Sequence, residues 1–368
     1  MLTPPATISL FIKDGSANVR MLGQETTIKG PTSKTELVPH HYESGCRLKV
    51  GVLTNPLSGG NKKGVSDIRI LLAGYPDVLH REETTPTGMH DALVEFAENG
   101  VELLVINGGD GTAHAALTTI GRGDVFSSPP LFALLCAGTT SMLPRDVGVK
   151  GPAVTALSHI ITWAESTDGR LRVLPRSVLR VQSRSDQPPL YGMFFGAGAI
   201  CQGINIFHSG VNPMGWRGEI MPGLTLLRML LAILRKDHNT VPLLQTKTSI
   251  DGQLVESKAN LFVLVSTLER LFLGMRPYWG TEDGPLHYTA LGSEPKRLLC
   301  VLPFLSLGRK TRHAIPENGY YSHNAHEVVM QMEGEFTLDG ELYRAESGSV
   351  SIEPTGPMMF LSHEKSDS

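Results

Sequence analysis

Three glycine-containing segments have the residue types to hold a polyphosphate. They are Asn55-Pro56-Leu57-Ser58-Gly59-Gly60, Gly108-Gly109-Asp110-Gly111-Thr112 and Ala137-Gly138-Thr139-Thr140-Ser141. Glycine lets backbone N–H groups approach phosphate without an intervening Cβ. The hydroxyls of Ser58, Thr112, Thr139 and Thr140 can donate to phosphate oxygens. Asp110 does not bind phosphate directly. A carboxylate beside a polyphosphate makes sense if it holds Mg²⁺ or accepts a proton from an attacking hydroxyl. The chain has no GxxxxGK[ST] segment, and no GxGxxG follows its first predicted strand. A P-loop NTPase and a dinucleotide oxidoreductase are therefore disfavoured.

These segments need strands to present them. Leu48–Leu53, Val101–Ile106 and Leu131–Cys136 are short apolar runs, and each ends at one of the glycine turns. Helical periodicity appears at 64–73, 88–98, 112–120 and 152–164, the last with Pro152 in its first turn. Strand–helix alternation predicts an α/β domain with an open parallel sheet over residues 47–170. In such sheets ligands sit beyond the carboxyl ends of the strands, where all three turns fall. Helix N-termini after the turns add partial positive charge.

Past about residue 170 the pattern turns to short β runs. The predicted strands are Val173–Gln182, Leu190–Phe195, Thr248–Asp251, Ala259–Thr267, Leu286–Leu291, Arg297–Leu302, Glu327–Met332, Phe336–Leu338 and Ser349–Glu353. This is a mainly β, sandwich-like C-terminal domain over 171–348, with a helical insertion at about 219–237. A last strand near 349–361 is placed to return to the first domain. Residues 1–46 form an extension without a clear pattern.

Bulk properties narrow the function classes. Of 368 residues, 41% are hydrophobic and 19% charged, which fits a folded chain of two domains. A net charge of -3 argues against a surface devoted to nucleic acid. Cys46, Cys136, Cys201 and Cys300 are scattered, without a CxxC pair, so they read as thiols rather than a disulfide frame or a zinc site. His40, His41, His90, His114, His208 and His326 have no metal-ligand spacing. No signal-like start and no membrane-spanning run is present, so the expected location is cytoplasmic.

The chain resembles the diacylglycerol kinase catalytic-domain family, which includes bacterial lipid kinases and sphingosine and ceramide kinases. The resemblance runs from about Val50 to Phe360. It rests on Asn55-Pro56-x-Ser58-Gly59, Gly108–Thr112, Gly138-Thr139, the stretch Gly274–Gly284 and Asp339-Gly340-Glu341. It implies an ATP- and Mg²⁺-dependent phosphotransfer to a lipid hydroxyl: diacylglycerol, a sphingoid base or ceramide. The implied nucleotide-binding residues are Asn55, Ser58, Gly59, Gly60, Gly108, Gly109, Asp110, Gly111, Thr112, Gly138, Thr139 and Thr140. The implied catalytic residues are Asp339 as general base, with Asp110 and Glu341 beside the nucleotide. Asp110 and Asp283 are the implied metal ligands. From spacing alone, Asp339-Gly340 also reads as a two-residue hairpin turn. The family's third turn usually carries Asn where this chain has Ser141. Its glycine-turn helix usually carries Glu where this chain has Ala115. His287 stands where bacterial members place a carboxylate.

Residues 221–234 are apolar almost all round, with Leu224, Leu227, Leu231 and Leu234 forming one stripe. Such a helix is either buried or lines a lipid pocket or a membrane interface, with Arg228, Arg235 and Lys236 near anionic headgroups. The expected partners are a membrane lipid and the inner face of a membrane, without nucleic acid; a homodimer is a further expectation. The rival readings are an NAD kinase, which shares the glycine turn, and a catalytically weakened nucleotide- or lipid-binding relative.

Overall fold

The computed structural model describes residues 9–13, 16–21, 24–29, 47–61, 64–138, 141–166, 171–208, 228–237, 239–346 and 348–363. Thr139, Thr140, Leu224 and Leu227, singled out above, lie outside them. The chain divides into two compact units. The first is Met1–Arg176 with Gly356–Ser368, and the second is Ser177–Thr355.

In the first unit a short antiparallel sheet comes first, from β1 (Ser9–Lys13), β2 (Ser16–Met21) and β3 (Gln24–Lys29). The main sheet follows, with order β5-β4-β6-β7-β20-β8. Its members are β4 (Val50–Thr54), β5 (Leu79–Glu82), β6 (Leu103–Gly108), β7 (Leu131–Cys136), β8 (Leu171–Arg176) and β20 (Met358–His363). β5, β4, β6, β7 and β20 run parallel, and β8 closes the edge antiparallel to β20. β4 and β6 are buried along their whole length, as expected of strands covered on both faces.

Helices α1 (Val65–Ala73), α2 (Pro86–Glu98), α3 (Asp110–Gly121), α4 (Met142–Val147) and α5 (Ala153–Ser166) connect these strands. α1 buries Val65, Ile68 and Leu72, at helical spacing. α2 starts with Pro86 after Thr85, whose hydroxyl accepts from the Gly88 amide at 3.1 Å. Stacking of Phe360 on Phe132, with ring centroids 5.3 Å apart, ties the returning β20 to β7.

The second unit holds an 11-stranded antiparallel sheet. It contains β9 (Leu179–Gln182), β10 (Leu190–Gly192), β11 (Phe194–Gly198), β12 (Leu244–Ile250), β13 (Gln253–Ser266), β14 (Leu286–Gly292), β15 (Tyr320–Ala325), β16 (Val328–Met332), β17 (Gly334–Leu338), β18 (Glu341–Ala345) and β19 (Ser349–Pro354). β13 is the branch point, pairing with β12 over 253–260 and with β11 and β14 over its last residues. Helix α6 (Ala199–His208), helix α7 (228–234) and helix α8 (Leu298–Leu305) accompany the sheet. Phe195 and Phe336 stack inside its core.

Three expectations need correction. The run Leu190–Phe195 is interrupted at Met193, so that β10 pairs with β9 while β11 pairs with β13 and β17. The run Val173–Gln182 is not one strand. It breaks after Arg176, so that β8 pairs with β20 in the first sheet and β9 pairs with β19 in the second. The run Arg297–Leu302 is not a strand but the start of α8. Leu298, Val301 and Leu305 share one buried face at spacings of three and four residues. A short apolar run has no period of its own to separate helix from strand.

Candidate nucleotide-phosphate site

The sheet register brings the three turns together. Thr54 pairs with Asn107, and Gly108 pairs with Cys136, so adjacent parallel strands β4, β6 and β7 end level. The turns after them are then linked atom by atom. Ser58 Oγ accepts from the Gly109 amide at 3.2 Å. The Gly60 amide donates to the Ala137 carbonyl at 2.8 Å. Asn55 Nδ2 donates to Thr112 Oγ1 at 3.1 Å, while its Oδ1 accepts from the Leu57 amide at 3.0 Å.

The glycines are required by close approach rather than by backbone angle. A Cβ on Gly138 would lie 2.7 Å from Gly109 Cα, and one on Gly108 would lie 2.5 Å from Thr112 Cβ. Turns two and three therefore touch backbone to backbone. Gly109 caps α3 in an extended conformation and no side chain closes that helix end. A 12-residue helix thus opens its N-terminus at the place where the turns meet.

Asp110 has a definite partner. Its Oδ2 accepts from the Met142 amide and its Oδ1 from the Leu143 amide, each at 3.0 Å. The carboxylate caps α4 and locks turn three to the start of α3. Ser141 completes the third turn. It sits in the left-handed region at φ 44°, accepts from the Gly138 amide at 3.0 Å and donates to the Gly138 carbonyl at 2.9 Å. Where the family usually has Asn, the hydroxyl thus closes the turn on itself.

Two residues missed in the sequence belong to this site. Asn61 is buried, and its Nδ2 donates to the carbonyls of Asn55 and Asn107 at 2.8 and 3.0 Å. It pins turn one to the end of β6. Asn107 is buried beside it, and its Oδ1 has no hydrogen-bond partner among the described residues. An asparagine closing the first glycine turn was the available signal for Asn61.

The remaining expected residues lie in the second unit. Asp339 and Gly340 form the two-residue turn between β17 and β18, with φ of 51° and 97°. This is the hairpin geometry that Asp-Gly favours. The Asp339 side chain nevertheless points inward and is buried. Its Oδ1 accepts from the amides of Met193 and Phe194 at 3.0 and 2.9 Å, and its Oδ2 from Met193 at 3.1 Å. Gly192 leaves it room, since a Cβ there would collide with Oδ2. Glu341 is exposed at the start of β18.

Asp283 is exposed. Its neighbour Glu282 accepts from His323 Nδ1 at 2.7 Å and from the Asn324 amide at 3.1 Å. Partial burial pushes the Glu282 carboxyl up, but backbone hydrogen bonds at Glu282 and Asn324 and the His323 side chain outweigh it and hold it at about 2. His287 stacks on Tyr278 with centroids 4.6 Å apart and meets Asn324 Oδ1 at 2.9 Å. The position of the family's carboxylate is thus filled by an imidazole in a hydrogen-bonded stack. Among the described residues, no three His, Cys, Asp or Glu side chains gather as a metal site.

Of the expected lipid-contacting residues, Leu231 and Leu234 are described. Both are exposed on α7, while Met229 and Ala232 are its buried face. Among the described residues, no helix is long and apolar enough to cross a membrane.

The comparisons place these turns in a kinase-family domain. Residues 49–168 match the diacylglycerol kinase catalytic domain family. This kinase-family domain contains all three glycine turns and ends before the second unit begins. A diacylglycerol kinase from Bacillus anthracis Sterne aligns with 18% identity and a TM-score of 0.57, over 87% of this chain and 98% of its own. A further solved protein from that organism aligns at 18% identity and a TM-score of 0.59, over 86% and 97%. These likenesses establish the fold: a parallel α/β unit followed by an antiparallel β-rich unit. No curated protein sequence matches the chain.

Proposed function

We propose that the protein transfers the γ-phosphoryl group of ATP to the hydroxyl of a lipid of the diacylglycerol, sphingoid-base or ceramide type. The observation that carries this reading is the convergence of the 55–60, 108–112 and 137–141 turns inside a kinase-family domain. Glycine backbones and the open end of α3 supply partial positive charge without bulk. Ser58 and Thr112 use their oxygens to hold the turns, which leaves their hydroxyl hydrogens for phosphate oxygens.

Mg²⁺ enters as part of the nucleotide substrate. The two Asp110 oxygens accept amide protons, and through them the carboxylate positions the cradle. By the resemblance, Asp339 is the candidate for the general base. The lipid oxygen attacks the γ-phosphorus, the bond to the ADP oxygen breaks, and the hydroxyl proton passes to a carboxylate base. The amides of Met193 and Phe194 orient the Asp339 carboxylate. A lipid acceptor is supported by the exposed leucines of α7, which place apolar surface in the second unit. The enzyme would then work on the cytoplasmic surface of a membrane.

The test is transfer of labelled phosphate from ATP to diacylglycerol, sphingosine and ceramide in mixed micelles, with NAD as a rival acceptor. Label in a lipid is expected, and label in NAD alone would overturn the lipid reading. Asp339→Asn should lower kcat by roughly 10²–10⁴-fold, the usual share of a general base. ATP should still raise the melting temperature of that variant. Unchanged kcat would remove Asp339 from the mechanism.

A further inference from the structure

Helix α8, with the sequence Leu-Leu-Cys-Val-Leu-Pro-Phe-Leu, has two apolar sides. One side is satisfied: Leu298, Val301 and Leu305 belong to a core cluster with Met229 and Ala232 of α7. The other is not. Leu299 is 60% exposed and Phe304 49%, with Leu302 between them and Leu307, 63% exposed, just beyond. Leu231 and Leu234 are exposed on α7. The two helices share a core, and the Lys236–Glu294 ion pair, at 2.7 Å, joins the end of one to the approach of the other. The Arg276 amide donates to the Ser306 carbonyl at 2.7 Å, which brings the segment of exposed Leu273 to the end of α8.

Charge frames this apolar surface. Lys296 and Arg297 precede α8, and Arg309, Lys310 and Arg312 follow it; all five are exposed. No Asp or Glu occurs from 295 to 316, in a chain whose net charge is -3. Protein-binding surfaces are depleted in lysine at their centres, and contiguous exposed apolar patches on a monomer are uncommon. Large apolar side chains beside a ring of Lys and Arg are the pattern of a helix that lies in an anionic lipid interface. We infer that the outer face of α8, with Leu299, Leu302, Phe304 and Leu307 as apolar anchors and the cations at both its ends, docks this protein on an anionic phospholipid bilayer. This surface adds to the lipid-kinase reading the means by which the protein reaches its membrane, and does not depend on it.

The experiment is sedimentation of the full chain, without nucleotide, with phosphatidylcholine vesicles that either contain or lack phosphatidylserine. The wild type should pellet with the phosphatidylserine vesicles and lose binding as salt rises. Leu299→Ser with Phe304→Ser should weaken partitioning about tenfold or more, since two large apolar anchors are lost. Arg309→Gln, Lys310→Gln and Arg312→Gln together should cost about fivefold per charge removed. Failure of the wild type to bind, or equal binding by both variants, would overturn the inference. If the apolar variant does not fold, the charge variant decides. A wild type that ignores vesicles but forms a dimer, which Leu299→Ser with Phe304→Ser dissociates, would assign the face to a second copy instead. Binding is read without ATP, so a failed kinase assay and a failed docking assay are separate results.

Discussion

Gly138→Ala isolates the contact on which the cradle depends. Gly138 has no left-handed backbone to strain, so its cost is steric alone. The new methyl group would stand 2.7 Å from Gly109 Cα and 3.2 Å from Ser141 Oγ. Carbon atoms rest at about 3.5–4.0 Å, so turns two and three must part by roughly 1 Å. Both neighbours are backbone or closely tied to it, so no flexible side chain can yield. Overpacking of this kind costs about 1–3 kcal/mol. A loss of that size lowers the melting temperature by roughly 2–4 °C per kcal/mol in a unit of this size. The effect on nucleotide should be larger in proportion. A displacement of about 1 Å in a positioned group costs on the order of 10² in rate. The assay is thermal unfolding with and without saturating MgATP, where a ligand at about 100 times its Kd stabilises by about 2.7 kcal/mol. The variant should melt lower and lose most of its ATP-dependent rise. Gly64→Ala is the control, because its new Cβ meets only the Gly60 carbonyl oxygen at an ordinary 3.8 Å. A Gly138→Ala protein with the wild-type rise would refute the assignment of turns two and three to phosphate.

Three further outcomes follow from the same geometry. Asp110→Ala leaves the Met142 and Leu143 amides without their caps, and should destabilise by about 1–3 kcal/mol in urea unfolding; a change below about 0.5 kcal/mol would mean that α4 holds without it. Burial, followed by the charge of Glu335, pushes the Cys201 thiol up to about 12, whereas Cys300 is exposed. In a Cys46→Ser background, Ellman's reagent at pH 8 should therefore modify Cys300 promptly and Cys201 only after denaturation. The Glu282 carboxyl is held at about 2, below its ordinary 4.5, so its stabilising contribution is complete above 4.5 and disappears as the pH falls toward 2. Glu282→Gln should be less stable than the wild type at neutral pH, and the gap should close across that acid range in pH-dependent melts. A constant gap would assign the difference to something other than ionisation.

Legibility differed between the two units for a physical reason. In the first, β4, β6 and β7 are buried, mainly apolar runs that each stop at a glycine turn, so these strands and the turns after them could be read locally. Asn61 escaped notice because its hydrogen bonds to Asn55 and Asn107 join residues 6 and 46 apart. In the second unit, long-range pairing overrides local pattern. The first residues of α8, Leu298–Leu302, read as part of a strand because nothing in them shows which face meets α7. The break between β8 and β9 is marked locally only by Pro175 and Ser177. It is set by partners near the other end of the chain, β20 and β19.

Residue types and spacing alone determined that a parallel sheet carries three glycine turns at the carboxyl ends of its strands, since both features follow from short-range periodicity and from the missing Cβ. Only the tertiary structure decided what Asp110 and Asp339 touch. The letters allow either carboxylate to be a base, a metal ligand or a turn residue. Folding brings the amides of Met142 and Leu143 to one and those of Met193 and Phe194 to the other. The latter amides lie well over a hundred residues from Asp339 in the chain, beyond the reach of any local pattern.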